Sequence, residues 1–140
     1  MREIEFRGKY HIRETDELVW ACGFYDGDEI VSEDGDSRKV NDDSVCQYIG
    51  LKDDNGVKIY EGDVVKVFIK SGLYSRIQMS DQIKIGVVKY SPENTRFSAY
   101  VDGNPDNAAV IYIGYGLEVL GNIFDNPELE NYKKLYFQED

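Results

Sequence analysis

A chain of 140 residues has the length of one domain, enough for a substantial hydrophobic core and too little for two large domains. Its 27 Asp and Glu against 16 Lys and Arg give a formal net charge of -11, which opposes broad non-specific binding to phosphate backbones and leaves only a local basic groove for nucleic acid. A hydrophobic share of 41% with 11 Tyr excludes a disordered acidic chain, and no apolar run approaches the roughly 20 residues that cross a bilayer.

Arg2 to Arg7 alternates polar and apolar residues, and Tyr10 and Ile12 keep the parity beyond Gly8, which predicts a strand with one buried face. Leu18 to Tyr25 is a second apolar run, reached through Glu14-Thr15-Asp16-Glu17, and the two predict a hairpin. Residues 26–43 carry eight acids against two bases, with Asp-Gly-Asp at 26–28 and again at 34–36. That composition predicts acidic turns around short elements at Ile30-Val31 and Arg38-Lys39-Val40.

Gln47 to Val67 carries the strongest local pattern. Tyr48-Ile49-Gly50-Leu51 leads into Asp53-Asp54-Asn55-Gly56 and Val57-Lys58-Ile59-Tyr60 leads away, which places Asn55-Gly56 at the centre of a tight turn needing positive φ. Glu61-Gly62-Asp63 punctuates, and Val64 to Ile69 has the β-branched content of a central strand. Ser71 to Asp81 reads as a polar excursion, either an ordinary long surface loop or a flexible hairpin loop that orders against a partner, with Lys70, Arg76 and Lys84 making it the least acidic region. Ile83 to Tyr90 predicts another strand, Gly86 marking a bend, a bulge or a close approach. Ser91-Pro92-Glu93-Asn94 turns the chain into Arg96 to Val101, and Ala108 to Tyr115 and Leu117 to Phe124 supply the last strands. Asn126-Pro127 caps and starts a terminal helix, because the Asn oxygen accepts an orphan amide and Pro has none to satisfy. Frequent short strands without crossover helices favour a small barrel or a sandwich.

Few residues assemble into recognisable chemistry. Cys22 and Cys46 are too sparse for a disulfide scaffold, and with no signal peptide before Met1-Arg2-Glu3 they are expected as reduced thiols of a cytoplasmic protein. His11, the one histidine, lies on an expected edge strand and cannot complete a zinc set. No nucleophile elbow, Walker A loop or dinucleotide fingerprint is present. The acids Asp26, Asp28, Glu29, Glu33, Asp34 and Asp36 offer the oxygen donors of a calcium site, but Ile30 breaks the EF-hand spacing, so a partner-facing patch or solvated loops account for them better. Glu61, Asp63 and Glu118 could meet as a glycosidase-type pair, although no spacing selects them. Gly114-Tyr115-Gly116 suits close backbone packing. Tyr48, Tyr60, Tyr90, Tyr100, Tyr112 and Tyr115 suit cross-strand packing, with an exposed aromatic face as the route to oligomers. A basic groove would need Arg76, Lys84, Lys89 and Arg96 beside Tyr74, Tyr90 or Phe97.

Four blocks carry a family likeness: Met1 to Gly8 (MREIEFRG), Gln47 to Val65 (QYIGLKDDNGVKIYEGDVV), Gly86 to Tyr90 (GVVKY) and Leu117 to Leu129 (LEVLGNIFDNPEL). In that order they resemble the YopX family of small phage and prophage proteins across nearly the whole chain. The resemblance implies a phage or prophage origin and an all-β fold with a partly open barrel; it supplies no catalytic residue, cofactor or metal ligand. Residues 26–43 and 71–81 carry none of it, so partner specificity is expected there.

The resulting expectation is a single domain, 1–140, of all-β class. It comprises an N-terminal β-hairpin region with acidic turns (1–45), a small, partly open SH3-like β-barrel (46–125) and a short C-terminal helix (126–137). Structural turns fall at Gly50, Asn55, Gly56, Gly62, Asp63, Gly121, Asn126 and Pro127, and partner-binding residues are Asp26, Asp28, Glu33, Asp34, Asp36, Tyr74 and Arg76. The expected function is a non-enzymatic phage accessory protein that binds a host or phage protein, or itself, with no cofactor and no membrane partner. A partner bearing a basic patch, such as a nucleic-acid-binding protein, suits the charge. Direct nucleic-acid binding through the basic groove and a carboxylate-based enzyme are the alternatives.

Overall fold

The computed structural model describes residues 3–69, 72–74, 77–79, 82–92, 96–100, 108–110 and 116–131. It is all-β, with two antiparallel sheets, and divides into two units, Met1–Gly50 and Leu51–Asp140. Among the described residues no helix is long and apolar enough to cross a membrane.

In the first unit the expected hairpin forms between β1 (Phe6–Ile12) and β2 (Glu17–Tyr25), in register from Phe6 opposite Gly23 to Ile12 opposite Glu17. The acidic stretch contributes two further strands, β3 (Glu29–Val31) and β4 (Ser37–Lys39), and a 3-10 turn at Asp42–Ser44 whose Asn41 cap accepts from the Asp43 amide. With β5 (Cys46–Lys52) the order is β4-β3-β2-β1-β5. Strand β1 is therefore interior, not the edge strand expected around His11. Its far side meets β5 at Phe6 and Arg7, then Lys9, whose carbonyl accepts from Asn41 at 2.8 Å and whose amide donates to the Ser44 hydroxyl at 2.8 Å. The wrap depends on Gly8: a Cβ there would stand 3.1 Å from Val40 and 3.2 Å from Ile30, the residues that fill this small core.

In the second unit the end of β5 turns through residues 53–57 into β6 (Lys58–Tyr60). Strand β7 (Asp63–Ile69) follows, then a ribbon of β8 (Gly72–Tyr74) and β9 (Ile77–Met79), the hairpin rather than the plain loop of the two forms the sequence left open. The remaining strands are β10 (Gln82–Ser91), β11 (Arg96–Tyr100), β12 (Ala108–Val110) and β13 (Gly116–Asn122), giving a sheet of order β12-β11-β10-β7-β13. Central β7 carries a near-continuous Val run because both of its sides are buried. Val65, Val67, Val88, Ala99 and Leu117 fill one side, and Val64 and Ile85 meet Leu129 on the other.

Two expectations change. Among the described residues no pairing joins β12 to β13, so the partly open barrel expected is found only as an open sheet, and the finer SH3-like likeness finds no support in this strand order. The helix expected over 126–137 is a 3-10 turn at Pro127–Asn131 as far as residue 131; residues 132–137 lie outside the described residues.

Gly86 is a point of close approach: a Cβ there would lie 2.9 Å from the backbone of Ala99 and Tyr100. Gly62 has φ +83°, donates to the Val88 carbonyl at 2.9 Å and accepts from the Ile123 amide at 3.0 Å. In urea unfolding, Gly86→Val is expected to cost about 3 kcal/mol through overpacking, and Gly62→Val about 2 kcal/mol through backbone strain. Wild-type stability in either variant would contradict the corresponding placement.

Candidate functional site

Polar side chains gather in two places, one in each unit. In the second unit the turn between β5 and β6 is tied down by the buried Asp53, 7% exposed. Its Oδ1 accepts from the amides of Asn55 at 2.9 Å and Val57 at 2.8 Å, and its Oδ2 accepts from the Val119 amide at 2.9 Å. Asp54 continues the junction: its amide donates to the Leu117 carbonyl at 2.9 Å and its Oδ2 accepts from the Leu117 amide at 3.3 Å. Two aspartates thus occupy backbone groups of β13 that another strand would otherwise pair. Burial pushes the Asp53 carboxyl up, but the amides of Val119, Val57 and Asn55 together outweigh it and hold its pKa below the ordinary value.

The expected turn residues lie in and around this junction. Gly56 has φ +81° and Gly50 +92°, while Asn55 keeps negative φ, so the turn is not the doubly positive pair that Asn-Gly suggests. Asp63 is 1% exposed and accepts from the Tyr60 amide at 2.8 Å. Gly121 borders the irregularity in β13, where a Cβ would meet Asn126 Oδ1 at 2.5 Å. Asn126 accepts from the Asn122 amide through its side chain and from the Leu129 amide through its carbonyl, with Pro127 opening the 3-10 turn.

In the first unit the acids surround β3 and β4. Asp26 accepts from the amides of Glu29 at 2.8 Å and Asp28 at 2.9 Å, which hold its carboxyl below the ordinary range. Asp34 is held low first by the Ser32 hydroxyl, which donates to it, and then by the Asp36 amide. Asp28, Glu33 and Asp36 are exposed beside them. Tyr25 lies nearby: its hydroxyl donates to Asp42 at 2.7 Å and its pKa is pushed up to about 12; that hydrogen bond contributes most, followed by burial and the charges of Asp42, Asp28 and Asp26. Phe24, next in the chain and 64% exposed, places a large apolar side chain at this acidic end of β2. Among the described residues no three His, Cys, Asp or Glu side chains assemble as a metal site.

The other candidates disperse. Tyr90 and Phe97 lie opposite each other, ring centroids 5.2 Å apart, and share their side of the sheet with Lys84. Lys89 and Arg96 fall on the other side, so the register splits the expected basic groove. The backbone of Tyr74 belongs to β8, and Arg76 lies outside the described residues, as do Gly114 and Tyr115. Asp63 and Glu118, placed by their β7 register, face opposite sides and form no catalytic pair. Cys22 and Cys46 both stand opposite Arg7 on the two strands flanking β1, about 10 Å apart by strand spacing and beyond disulfide reach. The sequence reading missed a basic and aromatic cluster on β1 and β2: Arg7 lies 4.6 Å and Lys9 5.0 Å from the Trp20 ring centroid. Its signal was the alternation of Arg7, Lys9 and His11 against Leu18, Trp20 and Cys22.

The model of the YopX protein family matches residues 5–130, a span that contains both polar clusters. Among solved structures, the protein EF1440 from Enterococcus faecalis is similar at 20% identity with a TM-score of 0.45, over 93% of this chain and 99% of that one. No curated protein matches the chain.

The Asp53 junction has a pH signature. A carboxyl whose pKa is lower folded than unfolded contributes stability that is complete above its unfolded value, about 4, and is lost as pH falls through the folded value. Asp53→Asn sets a donor NH2 where one of the carboxylate oxygens accepted, which is expected to cost about 2 kcal/mol at neutral pH and to flatten the loss of stability in acid. Urea titrations from neutral to acid pH measure both effects; an unchanged midpoint and pH slope would show that the carboxylate does not carry the junction.

Proposed function

The chain belongs to the YopX family, and from that premise we propose that it is a non-enzymatic phage accessory protein that binds a protein partner through the acid-rimmed N-terminal sheet. The observation that carries this reading is the concentration of exposed acids around β3 and β4. A rim of that sign attracts a basic protein surface over long range, and the exposed Phe24 beside it supplies apolar area for the contact. Several acids on this rim are already committed to their own turns, so the surface is presented by a shaped hairpin and pays less ordering entropy on binding. The partner is a host or phage protein in the cytoplasm, or a second copy of the chain.

The rim is separable from the fold. Asp28, Glu33 and Asp36 are exposed, so the triple variant Asp28→Asn, Glu33→Gln, Asp36→Asn is expected to keep its thermal stability. In nuclease-treated lysate of its own bacterial host, capture of a protein partner by the tagged chain should fall about tenfold in this variant and also at raised salt. Equal capture by the variant would count against the rim.

One observation favours direct nucleic-acid binding as a second reading: Trp20, flanked by Arg7 and Lys9, has the composition of a base-stacking platform. That reading expects salt-dependent binding of single-stranded DNA that Trp20→Ala weakens about tenfold. Binding that is absent, insensitive to salt or unchanged in the variant would dismiss it.

A further inference from the structure

One side of the N-terminal sheet holds a pocket of about 170 Å³ whose lining includes Tyr10, Ala21, Ile30, Ser32, Asp36 and Arg38. Strand register explains their company. Ile30 stands opposite Tyr25 on β2 and opposite Arg38 on β4, so Ser32 and Asp36, each two residues further along, share its side. Ala21 lies opposite Gly8, the residue that Ile30 approaches, and Tyr10 follows Gly8 at the same parity. Arg38 extends over the Tyr10 ring, its guanidinium carbon 5.5 Å from the ring centroid, inside the roughly 6 Å reach of a cation–π contact.

This arrangement already receives a guanidinium. The Tyr10 ring offers it a π face, and Asp36 lies two residues away on the same side of β4. Asp34, held by the Ser32 hydroxyl, feels the charge of Arg38 as well. Yet Arg38 is exposed, and its guanidinium donates to the neighbouring Ser37 carbonyl at 3.3 Å. Little buried packing is lost when such a side chain swings into solvent. With Arg38 out, the pocket presents an aromatic face, a hydroxyl and the Asp36 carboxylate, which suits an incoming planar cation and rejects an anion.

We propose that this pocket is the subsite for one arginine side chain of a basic protein partner, and that Arg38 is its internal placeholder, displaced on binding. The inference rests on the protein-binding reading above and specifies the chemistry of its contact.

The test uses the full chain and an acetylated, amidated hexapeptide of alternating Gly and Arg, titrated by calorimetry. Arg38→Ala and Lys39→Ala each remove one positive charge, so the general field strengthens peptide binding equally in both. Lys39 alternates to the other side of β4 and serves as the control. Arg38→Ala is expected to bind the peptide about threefold more tightly than Lys39→Ala. Adding Tyr10→Leu to Arg38→Ala should remove that excess, whereas adding Tyr10→Phe, which keeps the ring and guards against a folding artefact, should preserve it. Equal affinity of Arg38→Ala and Lys39→Ala overturns the subsite, as does an excess that survives Tyr10→Leu. If the subsite fails in this way while Asp28→Asn with Glu33→Gln still weakens the peptide, the acidic rim stands without it. If those two rim substitutions change neither peptide binding nor partner capture, the protein-binding reading itself fails.

Discussion

The second unit depends on a carboxylate that does the work of a backbone. Asp53 gathers amides from its own turn and from β13, two segments 66 residues apart, onto one buried side chain. A buried charge is costly unless its lone pairs are occupied, and three amides occupy them here. With Asp54 bonded to both backbone groups of Leu117, the turn lies along β13 in place of a further strand. The position of β13 fixes one flank of β7, and β7 carries much of the valine core.

Much of this architecture was legible in the sequence, for identifiable reasons. The β1–β2 hairpin follows from alternation, β7 from a β-branched run, and Gly62 from its place between a hairpin and a central strand. The Gly86 approach was one of the roles anticipated for a glycine inside a strand pattern. What failed was long-range. The role of Asp53 toward Val119 has no local signature, whereas its bonds to Asn55 and Val57 belong to the turn-forming habit of Asp. Open pairing between β12 and β13 depends on strand order, which alternation does not encode. The terminal turn shows the limit of capping arguments: the Leu129 amide donates to the Asn126 backbone carbonyl while the Asn126 side-chain oxygen accepts from the Asn122 amide, and a start signal does not set a length.

The candidate surface was legible in composition and illegible in shape. The acids were evident, but the two Asp-Gly-Asp clusters among them read as turns, and β3 and β4 were present only as short fragments. Missing altogether was the pairing of Tyr10 with Arg38 across strands that are not neighbours in the sheet. The same N-terminal sheet has a pair of cations on β1, where Arg7 and Lys9 lean on Trp20, and most of its acids beyond β2. A net charge of -11 therefore conceals two regions of opposite local sign, and the mean is a poor guide to either.

The separation of Asp53 from Val119 also bears on how the chain is made. Every strand pairing of the first unit closes within the first 50 residues, so its loop-closure entropy is met early in synthesis. The second unit cannot close its junction until residue 119 has left the ribosome, and its central β7 waits equally long for β13. The acid-rimmed N-terminal sheet is thus complete while the unit that holds most of the family-like blocks is still an open sheet. Assembly of this chain runs from its N-terminal unit toward its C-terminal one.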